Sequence, residues 1–200
     1  MDYFDGECSK VIICNRIEAR AEKTKIKKEL KFVQRNENCK EIIVSAGGFP
    51  EDGEIMQFVS DGASDTGGFF SALLEIYGEI DEMYLSTWTI SMANVQRLLS
   101  AIDSGKLKKL YFLINDGLLK TNSTKAIWGA INESFPKRGI KYKAVNSHSK
   151  IFCCKIKDKY FTISGSGNWS ENPRIENYII VGGEKSFNFN KKWMLEQLNQ

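Results

Sequence analysis

These 200 residues contain one histidine and three prolines. No apolar run reaches more than a few residues; Val11-Ile12-Ile13-Cys14 is typical. A bilayer needs roughly 20 consecutive apolar residues, so no transmembrane helix and no membrane partner are expected. The five cysteines are irregularly spaced and include no Cys-x-x-Cys. With a single histidine beside them they offer no zinc-type ligand set, and neither metal nor cofactor is expected. Cys153 and Cys154 are adjacent on a predicted strand, where successive side chains point to opposite faces, so buried reduced thiols are expected. The first residues, Met1-Asp2-Tyr3-Phe4-Asp5, lack the basic and apolar blocks of a secretory signal, and the expected location is the cytoplasm.

Charge is missing locally rather than globally. The net charge is +3, yet Glu51 to Glu82 holds nine acids and no Lys or Arg, whereas Lys137 to Lys159 holds eight bases and one acid, Asp158. Such a basic stretch either attracts a polyanion or is a solvated strand face. A second basic run, Arg20 to Lys31, has six bases against two acids; its spacing allows a charged helix, more often solvent-facing than DNA-binding.

With 42 % hydrophobic and 26 % charged residues the chain is ordinary globular material, long enough to bury its own core. Residues 1–50 read as an N-terminal appendage of a strand near 10–14, a charged helix within 17–35 and a strand at 41–45. Gly47-Gly48-Phe49-Pro50-Glu51-Asp52-Gly53 separates it from a main domain, 51–200. There the pattern alternates: strand 55–60, a helix carrying Phe69, Phe70, Leu73, Leu74 and Tyr77, strand 82–87, helix 91–104, strand 107–114, helix 122–134 and strand 140–145. A hairpin at 149–164, a strand at 176–181 and a C-terminal helix with Phe189, Trp193 and Leu198 follow. Strands separated by helices predict an α/β fold with a mixed, largely parallel sheet flanked by helices on both faces. No internal repeat is present.

The lone histidine opens His148-Ser149-Lys150, followed by Gly165-Ser166-Gly167-Asn168 and then Glu176. Histidine can attack phosphorus, lysine and asparagine can hold non-bridging oxygens, and a carboxylate can orient an imidazole. Singly, each residue has a plainer reading. The histidine is solvated, the glycines form a turn by supplying unusual dihedrals, and Glu176 is a surface carboxylate. Trp169, directly after Asn168, is either a base-stacking ring or, more commonly at such a position, a buried one.

Together these residues resemble the HKD superfamily of phospholipase D-like phosphodiesterases, in particular its small single-motif nuclease branch. The resemblance covers roughly residues 54–200 and implies a phospholipase D-like fold. The family places an aspartate five residues after the lysine, where this chain has Lys155. Asp158 lies three residues later, and a small insertion accounts for the shift; Asp158 is given a structural role in the turn between two strands. The resemblance implies a nucleophilic His148, phosphate binding by Lys150 and Asn168, a hydrogen bond from Ser166, and Glu176 holding His148 by its other nitrogen. In that family two copies of the motif meet across a pseudo-twofold axis, so a chain with one copy implies a homodimer. The expected function is a metal-independent endonuclease with a nucleic-acid partner, DNA ahead of RNA. The alternatives are a phospholipase or phosphatidyl transferase, and a non-catalytic nucleic-acid-binding module in which Lys155 marks an eroded site.

Overall fold

Strands buried on both sides need cover on both. In the computed structural model, which describes residues 9–12, 35–60, 65–119, 122–170 and 174–200, β3 (Glu82–Thr87) and β4 (Leu110–Asn115) are of this kind. They lie within an eight-stranded sheet with β1 (Ser9–Ile12), β2 (Ile55–Ser60), β5 (Lys141–Val145), β6 (Ile151–Ile156), β7 (Lys159–Gly165) and β8 (Glu176–Gly182). The strand order is β1-β2-β8-β7-β6-β3-β4-β5.

Helices α1 (Arg35–Ser45), α2 (Thr66–Tyr77), α3 (Met92–Asp103) and α4 (Asn122–Ser134) cover one face, and α5 (Glu184–Asn199) covers the other. Alternation along the strands serves both layers. Met83 and Leu85 join the larger core while Tyr84 joins the α5 core, and Cys154 and Cys153 divide in the same way. The two adjacent thiols thus point to opposite faces, as predicted. Burial pushes the Cys154 thiol well above its ordinary pKa, with Cys153 adding to the shift. Local signals fix the helix starts: Asp65 accepts from Gly68 N at 3.0 Å and Ser91 from Asn94 N at 3.2 Å.

Three expectations are corrected. The sheet is mixed but not largely parallel. β1/β2, β3/β4 and β4/β5 pair in parallel, whereas β2/β8, β8/β7, β7/β6 and β6/β3 pair antiparallel. No helix separates β6 from β7, and a two-residue turn can only return a strand antiparallel. Residues 41–45, read as a strand, are the second half of α1. Their β-branched run gives the strand signal, but Cys39 and Ile43, one helical turn apart, are buried in the large core, and tertiary burial overrides propensity. On α5 the buried face is Phe187, Asn190 and Met194, while Phe189 is 71 % exposed. The charged helix expected within 17–35 lies outside the described residues except for Arg35. Among the described residues no helix is long and apolar enough to cross a membrane.

The β6–β7 connection is Lys157-Asp158, with Lys157 at φ 55°. The carboxylate that ties this turn is Asp81, whose Oδ2 accepts Lys157 N–H at 2.7 Å and whose Oδ1 accepts from Lys108 at 2.8 Å. Lys108, then Lys157 N–H, hold the Asp81 pKa below the ordinary carboxylate range. A depressed folded pKa means stabilisation that is present above the unfolded value of about 4 and lost as pH falls through the folded pKa. Asp81→Asn is expected to cost up to about 1 kcal/mol at neutral pH, and urea midpoints of the two proteins should converge in acid. A gap that stays constant with pH would exclude this account.

Candidate phosphate site

Parallel strands β3, β4 and β5 all end at the same edge of the sheet, and open α/β sheets bind ligands at the carboxyl ends of their strands. Because β6 runs antiparallel to β3, it starts at that edge; β7 ends there and β8 starts there. His148 and Lys150 just before β6, Ser166 and Asn168 just after β7, and Glu176 opening β8 are therefore brought to one place. The ladder continues past the strand ends. Gly165 N donates to Lys150 O at 3.2 Å and Ser166 N to Asn177 O at 3.0 Å. Lys150 lies two residues before Phe152, and Glu176 two before Tyr178. Both aromatics sit in the larger core, so period-two alternation puts Lys150 and Glu176 on the same face of the sheet.

The electrostatics agree with that placement. Partial burial pulls the Lys150 pKa below its ordinary value, against the opposing pull of the Glu176 carboxylate. The Lys150 ammonium lies 3.2 Å from His148 Nδ1 and 3.1 Å from His148 O. An ammonium can only donate, so a ring that takes this bond at Nδ1 is the tautomer with its proton on Nε2. Glu176 is buried, 6 % exposed, and its Oε2 accepts the Ser166 hydroxyl; Ser166 Oγ in turn accepts Asn177 N at 3.0 Å. Asn168 is half-buried, with its amide oxygen fully enclosed.

Two scaffolds hold these segments. The 147–149 segment is pinned by two hydroxyl contacts and one amide: Ser86 to Ser149 at 2.5 Å, Ser147 to Ser149 at 2.8 Å, and Asn115 Nδ2 donating to Ser147 O at 2.7 Å. No short motif announces Ser86, which lies 63 residues from Ser149. The 166–169 segment is held by the start of α2, where Thr66 Oγ1 donates to Gly167 O at 2.7 Å and Thr66 N to Asn168 O at 3.2 Å. Gly165 and Gly167 are required for room rather than for dihedrals. Neither has a positive φ, but a Cβ on Gly165 would collide with Asn177 O and one on Gly167 with the Tyr178 hydroxyl.

Other expected residues fall elsewhere. Asp158 occupies the predicted turn, exposed, at the far end of β6; six residues at 3.3 Å each put it about 20 Å from the His148 edge. Lys155 points its ammonium over the Tyr160 ring at 5.7 Å. The basic stretch 137–159 also disperses. Lys137 pairs with Glu133, Arg138 with Asp103 and Lys159 with Glu51. Lys141 and Lys143 lie on the outermost strand β5, and Lys155, Lys157 and Lys159 surround the far turn, whereas Lys150 stands beside His148. Trp169 is completely buried. The aromatic ring at the site is Trp88, at the end of β3, whose centroid is 4.7 Å from that of His148. Among the described residues no three His, Cys, Asp or Glu side chains gather as a metal ligand set.

By sequence, no family model and no curated protein matches the chain. Among solved structures it is similar to TrmBL2, an archaeal chromatin protein described as showing a novel mode of DNA binding, at 15 % identity and TM-score 0.47 over 92 % of this chain and 66 % of that one. It is also similar to a polyphosphate kinase from Porphyromonas gingivalis, at 17 % identity and TM-score 0.45 over 72 % of this chain and 23 % of that one. A third is a phosphatidylserine synthase from Haemophilus influenzae Rd KW20, at 8 % identity and TM-score 0.46 over 73 % and 38 %. The chain thus spans less than two thirds of the length of each of these proteins.

Proposed function

We propose that this chain is a metal-independent phosphodiesterase, an endonuclease that cuts nucleic acid through a phosphohistidine at a site completed by a second copy of itself. The observation that carries the reading is convergence. His148, Lys150, Ser166, Asn168 and Glu176 come from three separate segments to one edge of the sheet, each pinned by hydrogen bonds to distant residues.

A diester phosphate arriving at the site draws the Lys150 ammonium away from His148 Nδ1 to a non-bridging oxygen. Nδ1 can then carry the ring proton, leaving the Nε2 lone pair free to attack phosphorus. The N–P bond forms as the P–O bond to the leaving group breaks, and the partner's His148, entering as the imidazolium, gives that alkoxide its proton and is left a neutral imidazole. Water, deprotonated by the same partner imidazole, then displaces His148 from phosphorus and releases the phosphomonoester. Lys150 and Asn168 stabilise the charge that develops on the equatorial oxygens. Glu176, with Ser166 donating to it, supplies the negative charge that balances the imidazolium.

The test is cleavage of plasmid and single-stranded DNA by the purified protein in excess EDTA, with the mass measured by sedimentation. Cleavage by a particle of twice 22.7 kDa is the expected result. Folded dimer that cuts neither substrate overturns the reading, and a fully active monomer overturns the shared site.

A further inference from the structure

We propose that Trp88 is a stacking platform for the nucleobase beside the scissile phosphate, and that an unpaired strand is therefore the preferred substrate. The inference rests on the phosphate site proposed above and adds what that site recognises beyond charge. Isolated apolar side chains on a surface need no special explanation. Trp88 differs because of how it is held and what it faces. It is 42 % exposed although it stands between the buried Thr87 and Ile90. Its loop is clamped on both sides. Thr87 Oγ1 donates to Thr89 O at 2.8 Å, the Thr89 and Ser170 hydroxyls meet at 2.7 Å, and Ser91 N donates to Trp169 O at 2.8 Å. Ile90 bridges to Trp169 as a strand would. The loop that carries the ring is thus held by the same segment that carries Asn168.

One side of the indole meets the His148 imidazole, tilted by 40° with centroids 4.7 Å apart, and the Lys150 ammonium stands 5.4 Å from the ring centre. A phosphate gripped by His148 and Lys150 therefore lies beside the indole, and the base one sugar away comes within reach of its exposed surface. In a duplex both faces of that base are covered by its neighbours, so the contact requires an unstacked base. Stacking is tolerant of sequence, because every base offers a π face. An acyl chain is the competing occupant of an exposed indole.

The experiment compares two ligands of equal charge, a short oligothymidylate and the same backbone carrying abasic sugars, titrated in EDTA against full-length His148→Asn to prevent turnover. Binding is read by polarisation of a labelled strand. The base-bearing strand is expected to bind about tenfold more tightly. Adding Trp88→Ala should bring the two ligands to the same affinity, and Trp88→Phe should restore most of the difference. Undiminished discrimination in Trp88→Ala, equal binding by the parent protein, or binding only to phosphatidylglycerol vesicles overturns the proposal. Hydrolysis of methyl p-nitrophenyl phosphate by the wild type in EDTA judges the catalytic reading separately. Hydrolysis without base discrimination removes the stacking role alone, whereas discrimination without hydrolysis leaves stacking in place and removes the chemistry.

Discussion

His148→Ala should lower metal-independent diester cleavage by about 10³- to 10⁶-fold, the range seen when the group that forms the covalent bond is lost, and should barely change stability. The imidazole is exposed and its contacts are with Trp88 and the flexible end of Lys150. Surface changes of this kind fall within about 0.5 kcal/mol of wild type. The mutant should thus unfold at the same urea concentration as the wild type while being catalytically silent, a separation that a structural histidine would not give. Mixing adds a second readout. If one composite site needs two copies of His148, subunits re-associated at random from equal amounts of wild type and mutant retain about a quarter of the activity, because only wild-type pairs work. Retention of about half would mean that each chain works alone.

The largest loss of stability is expected at Trp169. Its indole is fully enclosed, 5.8 Å from the Phe70 ring and 5.5 Å from the Phe152 ring. Truncating an aromatic at such a position costs about 3–5 kcal/mol, part transfer and part cavity, against a total stability of about 5–15 kcal/mol for a domain. The damage should reach function. Trp169 O accepts both Ser91 N and Asn94 Nδ2, each at 2.8 Å, and this anchor fixes the backbone of the neighbouring Asn168. Trp169→Ala should shift the urea midpoint strongly downward and weaken phosphate binding even below the transition. Trp169→Phe should recover much of the loss, because the indole Nε1 is buried with no hydrogen-bond partner among the described residues and Phe carries no such group. If the Phe variant is as unstable as the Ala variant, the packing account of this position fails.

Much of the fold was legible in short-range pattern. The helical spacing of Phe69, Phe70 and Leu73, and the alternation of strand 82–87, helix 91–104 and strand 107–114, are each dictated within a turn or two of chain. The misread α1 and the exposed Phe189 show where that reach ends. Periodicity says which residues share a face, but whether that face is covered depends on a neighbour supplied from elsewhere. Ile43 is buried because α2 lies against it, and Phe189 is bare because α5 meets the sheet through Phe187 and Met194.

The candidate site divides in the same way. By itself the sequence determined the chemical kit, His148, Lys150, Ser166, Asn168 and Glu176, because residue type sets which atoms can attack, donate or carry charge. It also determined the alternation that makes a sheet with helices on both faces. Only the tertiary structure decided that β6, β7 and β8 open and close at one edge and so bring those residues together. It likewise sent most of the 137–159 charge to the opposite end, buried Trp169 and left Trp88 beside the histidine. Counts along a chain ignore direction, whereas a strand that reverses carries neighbouring residues to opposite ends of the molecule. Residues 88 and 148 meet for the complementary reason, since hydrogen-bonded strands set the ends of distant segments side by side.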